Sequence, residues 1–374
     1  MDDAMLELDT PPHHRIDQQE APSTKVALAA MATAVPRYVL RQEDVMRQVR
    51  ALFEERRVDI DRLLPAFGNA GIETRHSCVP IEWYQSPSDW KSRNALFIDN
   101  AVALMAEATE SCLTQAGVSI GSVDAIVAVS TTGVATPSLD ARLMERLPFR
   151  RDVARLPVFG LGCAGGVLGL SRAAAMAQVR PGSKVLCVVA ELCGLTFRAN
   201  DPSKSNLIAT ALFGDGAAAV LLESSAAGAS PNGSLNLGAQ GEHTWPNSLG
   251  VMGWDVENDG LGVLFSRDIP ALIREHMRPA ADDFLARHGL NRSDIDGYVC
   301  HPGGAKVVAA LEEVFDQGDG GLKEARSVLR DFGNMSAVTV LFVLERMRKA
   351  GMKGRYLMTA LGPGFTVGFQ ILEA

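Results

Sequence analysis

Cys163, His301 and Asn334 carry a thiol, an imidazole and an amide, and an internal repeat sends two of the three to equivalent places in the chain. The stretch 122–129 (SVDAIVAV) reads like 294–301 (DIDGYVCH), and each begins five positions after a glycine, Gly117 or Gly289. Cys163 and Asn334 stand 171 positions apart, and so do Lys184 and Arg355, which open apolar stretches of strand length. A duplicated α/β unit therefore places Cys163 and Asn334 at matching strand-to-helix junctions. Thiol, imidazole and amide then meet at one pseudo-symmetric centre, the layout of a covalent acyl-transfer site. Decarboxylative condensation suits these groups: the thiol takes an acyl group from a thioester, and imidazole and amide stabilise the enolate left when a malonyl thioester loses carbon dioxide. On residue types alone a cysteine hydrolase, with the amide orienting the base, stays open.

Each residue also has a plainer reading. Cys163 lies in FGLGCAGG (159–166), where glycines permit a tight turn and close approach of a substrate. The helix that follows points its N-terminal amides at the sulfur, which favours thiolate over a thiol of pKa about 8.5. Most cysteines simply pack as small buried groups, and Cys78, Cys112 and Cys187 read that way. His301 ends an apolar strand and precedes Pro302, Gly303 and Gly304. There it either keeps the thiolate ionised as a cation or polarises a thioester carbonyl. Asn334 fits a helix N-cap as well as an enolate site. Their joint placement by the repeat is the specific signal.

The elements that must position these residues follow from the pattern. A polar tail (1–24), expected to be disordered, precedes a strand at 25–34 and a helix at 41–55. Apolar residues recurring every three or four positions predict a long helix over 94–117. A strand at 125–130, a helix at 138–147 and a short buried strand at 157–162 lead to Cys163 and a helix to about Gln178. Buried strands follow at 184–191 and 217–222. The Ser-, Ala-, Gly- and Asn-rich stretch 223–233 marks the seam between the repeats. The second half gives a strand at 234–238, helices at 270–288, 304–315 and 335–349, and strands at 296–301, 355–359 and 366–372. Alternating strands and helices with a twofold repeat predict stacked helix–sheet–helix layers.

The totals bound the partners. The chain has 374 residues, 47% of them hydrophobic, and a formal net charge of −8, which argues against nucleic acid or an anionic membrane as a partner. No apolar run reaches the roughly 18 residues of a spanning helix, so stable membrane insertion is not expected. The acidic start (MDDAMLELD) is no secretory signal, and six cysteines without paired spacing read as reduced thiols in a cytoplasmic protein. No ligand spacing for a metal and no phosphate-cradling glycine loop is present, so no cofactor is expected.

Four motifs, GCAGG at 162–166, HPGG at 301–304, GNMS at 333–336 and GPGF at 362–365, run in one register from about Lys25 to Ala374. In them the chain resembles the type III polyketide synthases, the chalcone synthase family. The resemblance implies a five-layer αβαβα thiolase fold of two duplicated halves, 25–230 with the cysteine and 231–374 with the histidine and asparagine. It implies a homodimer that extends acyl-CoA starters with malonyl-CoA, so that CoA thioesters are substrates and no other cofactor is needed. Cys163 becomes the nucleophile that carries the chain, while His301 and Asn334 bind the thioester carbonyl and the enolate. Phe213 matches the gatekeeper at the mouth of the cavity, and Val263 falls where the plant enzymes have a second phenylalanine, implying a wider entrance. Thr131, Thr132, Cys193, Thr196 and Ser336 fall on cavity-lining positions, and Gly304, Gly362, Pro363 and Gly364 on the backbone around them. Of three basic contacts to CoA phosphates only Arg62 has a counterpart, the others falling on Pro65 and Asn69. Lys306 offers a replacement cation. The methionine that reaches across the plant dimer matches Thr136. Val263 and the segment 252–262 resemble the bacterial alkylpyrone and alkylresorcinol synthases, implying a fatty acyl starter and a pyrone or resorcinol product. A ketoacyl synthase that primes fatty-acid synthesis would share the fold and the three residue types, but HPGG, GNMS and GPGF speak against it. Intact Cys163, His301 and Asn334 speak against a catalytically inactive partner subunit.

Overall fold

In a computed structural model of the chain, residues 24–86, 88–226 and 235–374 are described. The expected tail lies outside them apart from its last residue, as does most of the expected seam. Thirteen strands are present among the described residues: β1 Thr24–Ala34, β2 Tyr38–Arg41, β3 Thr74–Ser77, β4 Ala125–Val129, β5 Ala154–Val158, β6 Lys184–Leu192, β7 Asp215–Ala226, β8 Leu235–Thr244, β9 Met252–Glu257, β10 Gly260–Phe265, β11 Gly297–Cys300, β12 Arg355–Gly362 and β13 Thr366–Glu373.

Nine of them form one sheet in the order β11-β12-β13-β8-β1-β7-β6-β4-β5. The duplication is visible in the pairing. In the first half β4 runs parallel to β6, which runs antiparallel to β7. In the second half β11 runs parallel to β12, which runs antiparallel to β13. Lys184 opens β6 and Arg355 opens β12, as their spacing requires. Among the described residues the halves are joined in the sheet at β1–β8 by three residue pairs, from Val26↔Leu237 to Leu28↔Leu235.

That narrow seam lets both halves close on two middle helices. Gly165–Gln178 packs on β4, β6 and β7 from one half and on β8, β12 and β13 from the other. Its sequence, apolar or small nearly all round, suits a helix with sheet on both sides. Thr339–Ala350 lies beside it against β1 and β11. Trp90–Ala116 covers β1, β6 and β7, and Ile269–Arg287 covers the second half, where Phe284 stacks on Phe369 of β13 at 4.9 Å. The result is helix, sheet, helix, sheet, helix: the five-layer thiolase fold.

Some expectations need correction. The strand before Cys163 is Ala154–Val158, not 157–162, and it is not buried: it is the outermost strand of the sheet, with residues half-buried or exposed. Pro157 lacks a backbone donor, which an edge strand tolerates and a central one does not. The long helix begins at Trp90, four residues before the expected start, because the Asp89 carboxylate accepts the Ser92 N–H at 2.7 Å and caps it. β8 runs on to Thr244. The antiparallel β2–β3 pair, the β9–β10 hairpin and the helices Lys204–Leu212 and Lys323–Phe332 were not expected at all. Among the described residues no helix is long and apolar enough to cross a membrane.

Candidate active site

Cys163 sits in a single 3-10 turn, Gly162–Ala164, that joins the end of β5 to the middle helix. Two glycines make the turn possible. Gly162 has φ +48°, and a Cβ there would lie 2.5 Å from Pro363 Cδ. At Gly166 a Cβ would lie 2.1 Å from the Ala337 carbonyl oxygen. The middle helix can therefore approach the 336–338 turn of the other half at backbone distance. This contact brings the two repeats together at the sulfur. Cys163 Sγ donates to Ser336 Oγ at 3.8 Å, across 173 positions of sequence.

Asn334 is fixed by both halves. Its N–H donates to the Leu212 carbonyl at 2.8 Å, and its carbonyl accepts the Gly214 N–H at 3.0 Å, so Phe213 and Asn334 form a parallel bridge. The side-chain oxygen accepts the Ser336 N–H at 2.8 Å while Nδ2 donates to the Gly303 carbonyl at 3.2 Å. The amide orientation is thus set, with its NH2 group towards the loop that follows His301. His301 continues β11, and its own N–H donates to the Thr359 carbonyl of β12 at 3.0 Å. Both ring nitrogens are buried without a hydrogen-bond partner among the described residues. Unpaired buried polar atoms are costly, so both ring nitrogens are left available to a group that enters the cavity.

Cys163, His301 and Asn334 line one cavity of about 530 Å³. The imidazole is pushed down to about 3 by burial. The thiol is pushed up to about 12, first by burial and then, against a lowering contact from Ser336, by the nearby Glu191 charge. Burial thus works against charge on both groups, which disfavours the expected thiolate and histidine cation relative to a thiol beside a neutral ring that polarises a carbonyl.

Two smaller chambers lie beyond the sulfur. One, of about 30 Å³, is lined by Cys163, Cys193, Phe213, Val263, Ser336 and Pro363 together with Met252, Trp254 and Phe265. The other, of about 60 Å³ and mostly apolar, is bounded by Cys193, Thr196 and Phe213 and continues along Leu40, Val45, Val49, Leu52 and Phe197. Phe213 separates them, its ring 5.8 Å from that of Phe265 and 6.2 Å from that of Trp254. Val263 lines the inner chamber together with Phe213. The expected widening is offset two residues along the same strand, where Phe265 supplies a ring that faces both the large cavity and the inner one.

The other expected positions divide. Gly304 and Lys306 line the large cavity, as does Asn69, while Arg62 is exposed outside the walls of all three. Thr131 and Thr132 are buried and build the frame instead: Thr131 Oγ1 accepts the Gly162 N–H at 3.2 Å, and Thr132 Oγ1 donates to Glu191 at 2.7 Å. Gly362 and Gly364 do not line the chambers. A Cβ on Gly362 would lie 2.4 Å from the Leu161 carbonyl oxygen, so that glycine supports the cysteine turn from behind.

Sequence reasoning missed Lys204 and Arg267, two exposed cations on the wall of the large cavity. It also missed Glu191, which is fully buried and raised to about 7 by burial against hydrogen bonds from Thr131, Thr132 and Ser130. A glutamate closing an apolar strand was the available signal for Glu191. Among the described residues no group of three or more His, Cys, Asp or Glu side chains is placed to hold a metal ion.

The chain matches the models of the N-terminal domain of chalcone and stilbene synthases over residues 14–226 and of their C-terminal domain over residues 236–373. It is 38% identical to a 1,3,6,8-tetrahydroxynaphthalene synthase of Streptomyces peucetius, covering 96% of this chain and 98% of that one. It is 27% identical to the alpha-pyrone synthesis polyketide synthase-like Pks18 of Mycobacterium tuberculosis, over 94% of this chain and 92% of that one. The crystal structure of the 1,3,6,8-tetrahydroxynaphthalene synthase of Streptomyces coelicolor, a bacterial type III polyketide synthase, superposes with a TM-score of 0.85 at 26% identity, covering 92% of this chain and 98% of that one.

Proposed function

The chain belongs to the chalcone and stilbene synthase family and is a type III polyketide synthase, and from that premise we propose that it loads a fatty acyl-CoA starter on Cys163, extends it with malonyl-CoA and closes the product to a pyrone or resorcinol. In this reading Cys163 Sγ attacks the starter carbonyl, its proton passes to His301 and then to the departing CoA thiolate, and an acyl-cysteine remains. Malonyl-CoA then loses carbon dioxide. The enolate oxygen is held by the neutral His301 ring and by Asn334 Nδ2, and the enolate carbon attacks the acyl-cysteine, freeing the sulfur and giving a β-ketoacyl-CoA. Loss of carbon dioxide drives the condensation, so CoA thioesters enter as substrates and no resident cofactor takes part.

The observation that carries the reading is the sharing of Cys163 between a wide cavity holding His301 and Asn334 and a narrow inner chamber. Substrate arrives on one side of the sulfur and the chain grows on the other. The apolar chamber behind Cys193 and Phe213 supports a fatty starter, since its walls are mostly aliphatic and aromatic. Lys204, Arg267 and Lys306 on the wall of the large cavity are the cations proposed to take the CoA phosphates, in place of Arg62. A second copy of the chain is proposed to cover the free edge of β5, where Phe159 is 59% exposed four residues before the nucleophile.

The test is trapping. Incubation with a long-chain acyl-CoA alone, followed by peptide mass mapping, should show one acyl group on the Cys163 peptide, and no acylation there would reject the reading. A second reading, closure to a tetrahydroxynaphthalene, is favoured by the higher identity to that synthase, 38% against 27% for the pyrone-forming relative. It requires one product mass whatever starter is offered.

A further inference from the structure

The β9–β10 hairpin stands apart from the nine-stranded sheet and pairs only with itself, Met252↔Phe265 at its base and Gly260↔Glu257 at its tip. One face carries Met252, Trp254, Val263 and Phe265, which wall the inner chamber beside Cys163. Among the described residues no further strand pairs with either edge; the chamber face packs on Cys193, Ala209 and Phe213, and the tip is fixed separately.

The tip is held by charge. Asp259 Oδ1 accepts from Arg198 Nη1 at 3.0 Å, and the Asp259 carbonyl accepts from Arg93 Nη2. Arg198 is rigid from below. Its side chain, 13% exposed, also pairs with Asp201, its N–H donates to Asn206 Oδ1 at 3.3 Å, and its carbonyl accepts from Asn206 Nδ2 at 2.9 Å. Arg198 lies two residues after the 3-10 turn Cys193–Thr196, and Asn206 lies in the helix Lys204–Leu212, which is capped by Phe213. The same arginine therefore joins the tip of one chamber wall to the two segments that form the opposite wall.

We propose that the Arg198–Asp259 pair is a latch that closes the hairpin over the inner chamber, making Asp259 a positioning residue that limits how far the growing chain extends. The idea rests on the synthase reading above. Closed, the chamber of about 30 Å³ has room for little beyond the acyl end on the sulfur, so extension requires the hairpin to yield. A weaker latch lowers that cost and admits longer chains.

Asp259 is half-exposed in a turn, so Asp259→Ala leaves the core untouched, and the Arg93 contact to the backbone remains. Hydrogen exchange of amides 252–265 should quicken about fivefold in Asp259→Ala, the expected effect of losing one partly buried ion pair on a local opening equilibrium. Products from a fixed starter should shift towards more malonyl units, while the rate of acyl transfer to Cys163 stays at the wild-type value. Asp259→Glu should restore both the exchange and the product pattern. Unchanged exchange in Asp259→Ala overturns the latch, and so does faster exchange with an unchanged product distribution. A wild-type protein that forms no polyketide from any starter would instead reject the synthase reading, and the exchange of the hairpin would still decide whether Asp259 holds it.

Discussion

Glu191→Gln keeps the length of the side chain and the oxygen that accepts from Thr131 and Thr132, but removes the charge. In the folded protein this carboxyl moves from its ordinary 4.5 to about 7, since burial outweighs the hydrogen bonds it receives. A carboxyl with a higher pKa folded than unfolded costs nothing below the unfolded value, more as pH rises towards the folded one, and the full amount above it. The full amount here is about 3 kcal/mol, at 1.36 kcal/mol per tenfold change in proton affinity. Wild-type stability should therefore fall by about 3 kcal/mol relative to Glu191→Gln between roughly pH 4.5 and pH 8. The slope rather than the offset is the prediction, because the new NH2 group, placed where Oε1 lacks a partner, shifts stability equally at every pH. Urea unfolding of both proteins across this range measures it. A chemical readout accompanies it. The Glu191 charge raises the Cys163 thiol, so alkylation of Cys163 by iodoacetamide should be faster in Glu191→Gln above pH about 7 and equal well below it. Parallel stability curves, or a wild type that gains on the variant as pH rises, would refute the reasoning.

Val263→Phe introduces a ring into a chamber of about 30 Å³ already walled by Phe213 and Phe265, and should shift starter preference towards shorter chains in competition assays; an unchanged preference counts against the chamber assignment. Lys306→Ala should raise KM for malonyl-CoA with little change in kcat, and an effect confined to kcat would reject the phosphate contact. Cys163→Ala should abolish condensation while its urea midpoint stays near that of the wild type, because the chamber beside it spares the loss of one sulfur; turnover by that variant would sink the nucleophile assignment.

Much of this was legible in the chain. The repeat placed Cys163 and Asn334 at matching junctions because the spacing of 171 positions is also that of β6 and β12, and strand register transmits it unchanged. His301 was legible only together with the repeat, because a histidine ending an apolar strand is by itself more often a satisfied strand end. The burial of the sulfur and the ring was not: it depends on how completely the second half of the chain covers them, and the local motif carries no record of that. The position of Arg62 outside the cavity walls was not legible either, since register along the chain says nothing about which side of a turn faces the cavity. The hairpin that carries Val263 was not read from the sequence. Its signal was present in the two-residue turn Asn258-Asp259 followed by Gly260, between strands of alternating pattern. Overlooking it hid Trp254 and Phe265, which restore the ring volume that Val263 alone lacks.

The most direct test of the account is a product analysis. Purified protein is incubated with malonyl-CoA and acyl-CoA starters from acetyl to stearoyl, and the products are read by mass. Pyrone or resorcinol masses that rise with the length of the starter, and that vanish in Cys163→Ala, are the predicted result. A single condensation, activity only with a malonylated carrier protein, or one product mass independent of the starter would contradict it.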